Sequence, residues 1–478
     1  MKKGLNSMKC EKSKKITLAE GVWYITLVLQ MVESALDFSF SIFKITYICC
    51  MLLLAREVFI NGRKNMTKIC RDISGIIKTN IIFWGFLSCY IIFDIISFSY
   101  TQDISYVLTK YIVAIMMIVF IGMYLVIWAV KQDDIKQMMN RVLFCVALSG
   151  LIISIISIVN YFVGLFPVIY ERRLSTITDY NQFSTLIILG FTSGIWYIMR
   201  TYLKWEKRIG SKMLFTVTLL YSVFELSVIY LAGSRRSFII ECASGVVIVG
   251  ILIYVNIKFK AKKGKWIVGL IAGTLVGVFV FSACMNNMFD YVYNYGNSKK
   301  EFKENNINSS MKTIVSGEAG NKRNVIWKIA IDEFQRFSTK EKLIGKGSSY
   351  GSDLYDTPRN EEILMRTYAS LKDKNVFRTH WMYPHNFLLT DLVTGGIVKL
   401  LLGLGIMISL IVYVLKGIRK NYQFWFAGIL IGVPYFSILL SFPHGILAYK
   451  NFWIGVFIIV LLTNTKKDCP KEMEIKKV

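Results

Sequence analysis

Residues 111–130 read YIVAIMMIVFIGMYLVIWAV, an apolar run that decides the fold of this chain. The run has no polar face at the helical period, so a helix built from it is apolar on every side. A helix needs about 20 such residues to cross the hydrocarbon core of a bilayer. We therefore interpret this run as a membrane-spanning helix.

Similar apolar runs recur along the 478 residues of the chain. Hydrophobic residues make up 54% of the sequence and charged residues only 18%, which is unlike a soluble multidomain protein of this length. The runs predict an all-α polytopic membrane protein with about twelve transmembrane helices. The predicted spans are residues 18–35, 38–55, 80–98, 108–130, 142–165, 183–199, 213–231, 237–256, 266–284, 395–415, 421–441 and 446–464.

The distribution of basic residues predicts the orientation of these spans. Of the 57 Lys and Arg residues, 33 fall in the tails and loops that lie on the same side as the N-terminus, and four fall in short loops on the other side. Because short basic segments stay inside, we expect both termini to be cytoplasmic and the protein to lie in the cytoplasmic membrane. The net charge of +26 then needs no nucleic acid partner, since these segments face an anionic lipid leaflet.

This topology predicts three regions. Residues 1–284 hold spans one to nine, residues 285–394 form one large and mostly helical loop on the outer side, and residues 395–478 hold the last three spans and a cytoplasmic tail. A single loop of this size favours a functional role. It contains no cysteine, so we expect neither a disulfide nor a zinc site there. The sequence also has no P-loop and no Asp-x-Asp motif, so we expect no cofactor.

Two arginines in the stretch LAGSRRSF, Arg235 and Arg236, break the positive-inside pattern. They lie at the predicted outer surface, beside a Gly-Ser turn and near the start of a helix. Arginine offers a planar fork of donors and a helix N-terminus favours anions, so the motif is typical of a diphosphate site. The alternative is that both arginines contact lipid headgroups.

Other polar residues on the predicted outer side are further candidates. His385 stands where the long loop re-enters the membrane, and a histidine can take a proton near neutral pH. It forms one possible pair of metal ligands with His380, but no further ligand has a recognisable spacing, so we expect no metal. The alternative for each is an ordinary polar residue at the membrane interface. The candidate substrate-binding residues are Arg172, Arg173, Asn181, Arg236, Arg378, His380 and Asn386.

The order of these motifs resembles the O-antigen polymerase and ligase family of bacterial polysaccharide assembly. A stretch with Asn181 resembles the family's Pro-Asn segment, although Tyr180 stands where proline is usual. The other matching motifs are the turn Gly233-Ser234-Arg235, Arg323 with Trp327 four residues later, the pair Gly345 and Gly347, and His385-Asn386 leading to Gly395-Gly396.

The resemblance implies a GT-C-like glycosyltransferase that needs no metal and no nucleotide. Its donor would be a glycan on undecaprenyl diphosphate, and direct displacement would invert the anomeric centre. In this reading Arg235 and Arg323 stabilise the leaving diphosphate, and His385 orients or deprotonates the acceptor hydroxyl, or else clamps the diphosphate. Membrane lipid and a chain-length regulator are the other partners that we expect.

Two alternatives stay open at this stage. A polymerase would use another lipid-linked repeat unit as acceptor, whereas a ligase of the same family would use a different carrier. A flippase or other transporter belongs to a different class, and twelve spans with both ends inside also suit it. The sequence shows no pair of repeated halves, which counts against a transporter.

Overall fold

A computed structural model describes thirteen segments of the chain, which fold into α-helices and turns without a strand among them. These segments are residues 16–36, 42–62, 66–101, 104–131, 135–163, 174–176, 180–205, 211–258, 264–296, 318–367, 383–419, 421–440 and 449–464. Their helices are α1 Leu18–Leu36, α2 Ile42–Glu57, α3 Met66–Thr79, α4 Ile81–Ser97, α5 Ile104–Lys131, α6 Ile135–Val163, α7 Tyr180–Trp205, α8 Ser211–Leu231, α9 Arg235–Lys258, α10 Gly264–Gly296, α11 Glu318–Gln335, α12 Thr339–Ile344, α13 Tyr350–Asp353, α14 Pro358–Thr367, α15 Phe387–Ile418, α16 Gln423–Leu440 and α17 Lys450–Thr463.

The fold is that of a multi-pass helical membrane protein. Within the described segments, 8 helices are long and apolar enough to cross a bilayer, and two shorter apolar helices, Gln423–Ser437 and Lys450–Thr463, accompany them. The long helices correspond to α4, α5, α6, α7, α8, α9, α10 and α15. The total of twelve spans and the side of the membrane on which each end lies stay predictions.

Small residues let the central helices approach closely. A Cβ atom added to Gly190 of α7 would lie 2.6 Å from the Cα atom of Gly150 on α6, so the two backbones touch at this crossing. Close backbone contact at glycines is a common way for helices to associate inside a membrane. The α6–α7 pair positions the start of α7, which carries Asn181.

The segment 318–367 forms a small helical domain with its own apolar core on one end of the bundle. Helix α11 contributes Ile326 and Ala330, and these side chains pack against Leu354, Leu364 and others of the same segment. The core also includes Val393 of α15, so the domain is packed onto the bundle and is not a free appendage.

Two glycine motifs meet where this domain contacts α15. The helix α15 is interrupted at Gly396, which has φ 66° and ψ −164°. The turn after α12 lies against this interruption: the N–H of Lys346 donates to the carbonyl of Val393 at 3.2 Å, and the N–H of Gly347 donates to that of Thr394 at 2.9 Å. Side chains are excluded there, because a Cβ atom on Gly345 would collide with the Thr394 carbonyl.

The structure differs from the predicted spans near the start of α15. The helix begins at Phe387, eight residues before the predicted span. Its first turn is capped by Asn386, whose side-chain oxygen accepts from the N–H groups of Leu388 and Leu389. Hydropathy alone places the start of the span later because Thr390 and Asp391 interrupt the apolar run, although both are buried against the rest of the protein.

Candidate functional site

A cavity of about 740 Å³ lies between α9 and α16 and is cationic at one end. Its polar end carries Arg236, Arg323 and Asn181, and most of the remaining wall is apolar. The volume is in the usual range for a small-molecule site. Lining positions on α9 run from Arg236 to Val247, about 17 Å along the axis at 1.5 Å per residue. The other lining residues are Gly233, Ile239, Ile240, Ala243, Ser244, Ile418, Trp425, Gly428, Ile429, Gly432, Val433 and Phe436.

Small residues on α16 keep the apolar half of the cavity open. A Cβ atom added to Gly432 would meet no atom within 4 Å. The cavity also reaches the flank of the bundle, since the lining residues Ile239 and Phe436 are 60% and 49% exposed. In a membrane this flank faces lipid chains, so the apolar half has access to the bilayer.

The turn before α9 follows directly from its sequence. Gly233 adopts φ 69°, a conformation that favours glycine. Ser234 is then the N-cap of α9, because its hydroxyl accepts from the N–H of Ser237 at 3.2 Å. The same hydroxyl donates to the side-chain oxygen of Asn181 at 2.7 Å. The helix therefore starts at the predicted Gly-Ser-Arg turn, and the turn is joined to α7 through Asn181.

Arg236 is held inside the bundle with its guanidinium at the cavity. The residue is 9% exposed. It donates to the backbone carbonyl of Asn181 at 2.8 Å, to the hydroxyl of Thr185 at 3.3 Å and to the backbone carbonyl of Ser437 at 3.2 Å. These acceptors are neutral oxygens on α7 and α16, which orient the guanidinium without cancelling its charge.

The sequence assigned the main role to Arg235 and a substrate-binding role to Arg236. The structure places Arg236 on the cavity wall, whereas the side chain of Arg235 lies outside the described part of the chain. The role of Arg235 therefore stays a prediction.

Arg323 reaches the same cavity from α11 and is half-buried. One turn later on this helix, the indole N–H of Trp327 donates to the carbonyl of Pro384 at 2.8 Å. The next residue, His385, has φ 50°, which is uncommon for a residue with a side chain. Helix α11 therefore carries one cavity arginine and also fixes the backbone beside His385. His385 itself is not among the residues that line this cavity.

The remaining predicted residues fall into two groups. The side-chain oxygen of Asn386 caps α15, which gives this residue a structural role whether or not it binds substrate. Four others lie outside the described residues, and their substrate-binding roles stay predictions: Arg172, Arg173, Arg378 and His380.

Several residues that shape the site were missed by the sequence reasoning. Thr185 and Ser437 hold Arg236, and Ser437 does so through a backbone carbonyl, which no side-chain motif reveals. The spacing of Gly428 and Gly432 did carry a signal, since residues four apart share one helix face. Glu225 of α8 is also buried in the bundle, where its carboxylate accepts from the hydroxyl of Ser154 on α6 at 2.9 Å.

The geometry of the cavity is the main basis for a functional conclusion. No protein-family model matches the sequence, and no curated protein matches it either. The cavity joins two arginines, Arg236 and Arg323, to an apolar groove that opens on the flank of the bundle, so the chain has a site suited to an anionic lipid.

Proposed function

We propose that this protein is a polysaccharide polymerase, a glycosyltransferase that joins undecaprenyl-diphosphate-linked oligosaccharide repeat units at the outer face of the cytoplasmic membrane. The observation that carries the proposal is the cavity between α9 and α16, with Arg236 and Arg323 at one end and apolar walls along the rest. The resemblance of the motif order to O-antigen polymerases and ligases supports the same reading.

The two halves of the cavity match the two halves of a lipid diphosphate. Arg236 and Arg323 supply forked, permanently charged donors for phosphate oxygens. The groove below them suits a polyprenyl chain, because each buried CH₂ group contributes about 0.8 kcal/mol. Since the groove opens sideways, a tail much longer than 17 Å can continue into the bilayer.

The proposed reaction is a direct displacement. The acceptor hydroxyl oxygen attacks the anomeric carbon of the donor, and the bond from that carbon to the diphosphate oxygen breaks. Undecaprenyl diphosphate leaves with the electron pair, and the configuration at the anomeric carbon inverts. Arg236 and Arg323 stabilise the charge that develops on the leaving group. We assign the hydroxyl proton to His385, which is not among the cavity-lining residues but directly follows Pro384, whose carbonyl accepts from Trp327 of α11.

Reconstitution separates this activity from its alternatives. Purified protein in liposomes is supplied with a fluorescent lipid-linked repeat unit, and the products are resolved by length. A polymerase gives a ladder of longer glycans on the same lipid. Transfer of the glycan to a different carrier would show that the protein is a ligase and not a polymerase. Movement of the lipid-linked unit across the bilayer without growth of the glycan would show that the protein is a flippase.

Arg323 offers a test with a matched control. We expect Arg323→Ala to lower the rate of chain growth by about 10²–10³, the usual cost of removing one donor to a developing anion. Arg336→Ala should have no effect, because Arg336 belongs to the same domain but is exposed and pairs only with Glu333 in the described structure. Equal rates for the two variants would remove Arg323 from the active site.

A further inference from the structure

A second polar cluster lies inside the bundle, outside the cavity. The ammonium of Lys399 on α15 is 2.5 Å from the carboxylate of Asp94 on α4 and 3.9 Å from that of Asp391. The hydroxyl of Tyr90 donates to Asp391 at 2.7 Å. The side chains of the three charged residues are at most 6% exposed. We call Asp94, Asp391 and Lys399 the charged cluster.

The charges of this cluster do not balance. Two carboxylates and one ammonium leave one negative charge if all three groups are ionised. A buried and uncompensated charge costs several kcal/mol, so a group at such a site neutralises instead. Each carboxyl also has one buried oxygen, Oδ2 of Asp94 and Oδ2 of Asp391, that makes no hydrogen bond within the described structure.

Within the described part of the chain, the neighbouring groups do not supply the missing positive charge. In the described structure, Asp391 interacts electrostatically with Lys399, Asp94 and Tyr90, and Lys399 also interacts with Tyr100. The helical domain above contributes Ser348, whose hydroxyl is neutral. Its nearby basic residue, Lys346, instead lies over the rings of Phe337 and Tyr350 and 4.0 Å from Glu341. The elements α16 and α17, which also pack on α15, add no group to these interactions.

We propose that the charged cluster is a proton-binding site in the membrane-spanning part of the protein, with the proton carried by Asp391. Asp94 makes the short ion pair with Lys399, whereas Asp391 is farther from the ammonium and is the carboxyl to which we assign the proton. A metal cation fits less well, because it would need several more oxygen ligands around carboxylates that already share an ammonium.

The charged cluster is positioned to sense the docking of the helical domain. A Cβ atom on Gly395 would collide with the side chain of Lys399, so this glycine makes room for the lysine to reach Asp94. The hydroxyl of Ser348 lies 2.7 Å from that of Ser97 and 3.5 Å from Asp94. Loss of the proton would leave a net negative charge directly beneath the turn at residues 345–349, and the docked turn would be less stable.

Infrared spectroscopy of the full-length protein tests the proton directly. The wild type should show a carbonyl stretch from a protonated carboxyl that Asp391→Asn removes. Asp94→Asn should remove the same band, because one carboxylate and one ammonium then remain and no proton is needed. Lys399→Met should increase the intensity of this band, because neither Asp94 nor Asp391 then has a cation beside it. Glu362→Gln is the control, as this residue is exposed and pairs with Arg366.

Either aspartate variant alone is sufficient for the test if the other fails to fold. Difference spectra against the wild type that show no loss of band intensity in either aspartate variant would overturn the proposal. A band that disappears when Na⁺ is added at constant pH would also overturn it, because the site would then hold a metal cation in place of the proton.

Hydrogen exchange tests the coupling to the docked turn. The Gly347 amide donates to the carbonyl of Thr394, so its protection reports docking. In the wild type, protection should fall by up to about tenfold for each pH unit as the pH rises from the titration of the carboxyl in the undocked state to its titration in the docked state, and should then level off. In Asp391→Asn it should stay constant over the same range. Equal pH dependence in the two proteins would contradict the coupling.

Discussion

The guanidinium of Arg236 is held by oxygens on α7 and α16, two helices far apart in sequence. Burial fixes its direction before any ligand arrives, which reduces the entropy lost on binding. Arg323 is half-buried at the mouth of the same cavity. Arg236 is therefore part of the packing of the bundle, whereas Arg323 is carried by the docked helical domain.

This difference predicts that substitutions at the two arginines change stability by different amounts. Arg236→Lys should lower the free energy of unfolding by about 1–3 kcal/mol, because one amine cannot satisfy buried acceptors on two helices. Arg323→Lys should change it by less than about 0.5 kcal/mol, as is usual for surface substitutions. Thermal unfolding in detergent measures both. An Arg236→Lys protein as stable as the wild type would show that the buried hydrogen bonds contribute little.

Ser234 provides a second test at this scale. Ser234→Ala should cost about 1 kcal/mol, because α9 loses its N-cap. Ser338 caps α12 in the same way, with its hydroxyl accepting from the N–H of Glu341, so Ser338→Ala is a matched variant away from the cavity. Both should lower the melting temperature, but only Ser234→Ala should weaken ligand binding. Equal ligand binding by the two variants would show that the turn at Gly233-Ser234 does not contribute to the binding site.

At the scale of elements, the interruption of α15 at Gly396 joins the bundle to the helical domain. The turn at Gly345 and the interruption at Gly396 fit together because neither glycine has a side chain. Both also have positive φ values, 72° and 66°. The contact brings α11, with Arg323, over the end of the bundle that holds Arg236.

Substitution at Gly396 should therefore undock the domain. Gly396→Ala places a Cβ atom against the carbonyl of Leu343 and adds about 1–2 kcal/mol for the left-handed backbone. Gly432→Ala is the control, since its Cβ atom meets open space within a regular helix and should be neutral or stabilising. Protease susceptibility of residues 345–349 measures docking. A Gly396→Ala protein with wild-type resistance would contradict this role.

At the scale of the whole molecule, hydropathy predicted the helical membrane fold, because a long apolar run matches the thickness of a bilayer and a helix satisfies its own backbone hydrogen bonds there. The motif at Gly233-Ser234 was also predicted from sequence, since its cap and positive φ are local. Asp391 was missed as a charge within a span because the predicted span starts at residue 395, whereas α15 begins at Phe387. The position of Arg236 on the cavity wall depends on contacts with α7 and α16, and local sequence cannot encode those contacts.

The central claim is that the cavity between α9 and α16 binds a polyprenyl diphosphate. The most direct test is the affinity of the purified protein for undecaprenyl diphosphate, measured for five proteins in the same detergent. We expect binding by the wild type, a loss of about tenfold or more in Arg323→Ala, and a similar loss in Gly432→Leu, which fills the groove. Gly245→Leu on α9, also facing open space, and Arg336→Ala should bind like the wild type. Equal affinity in all five proteins would place the ligand elsewhere and contradict the account.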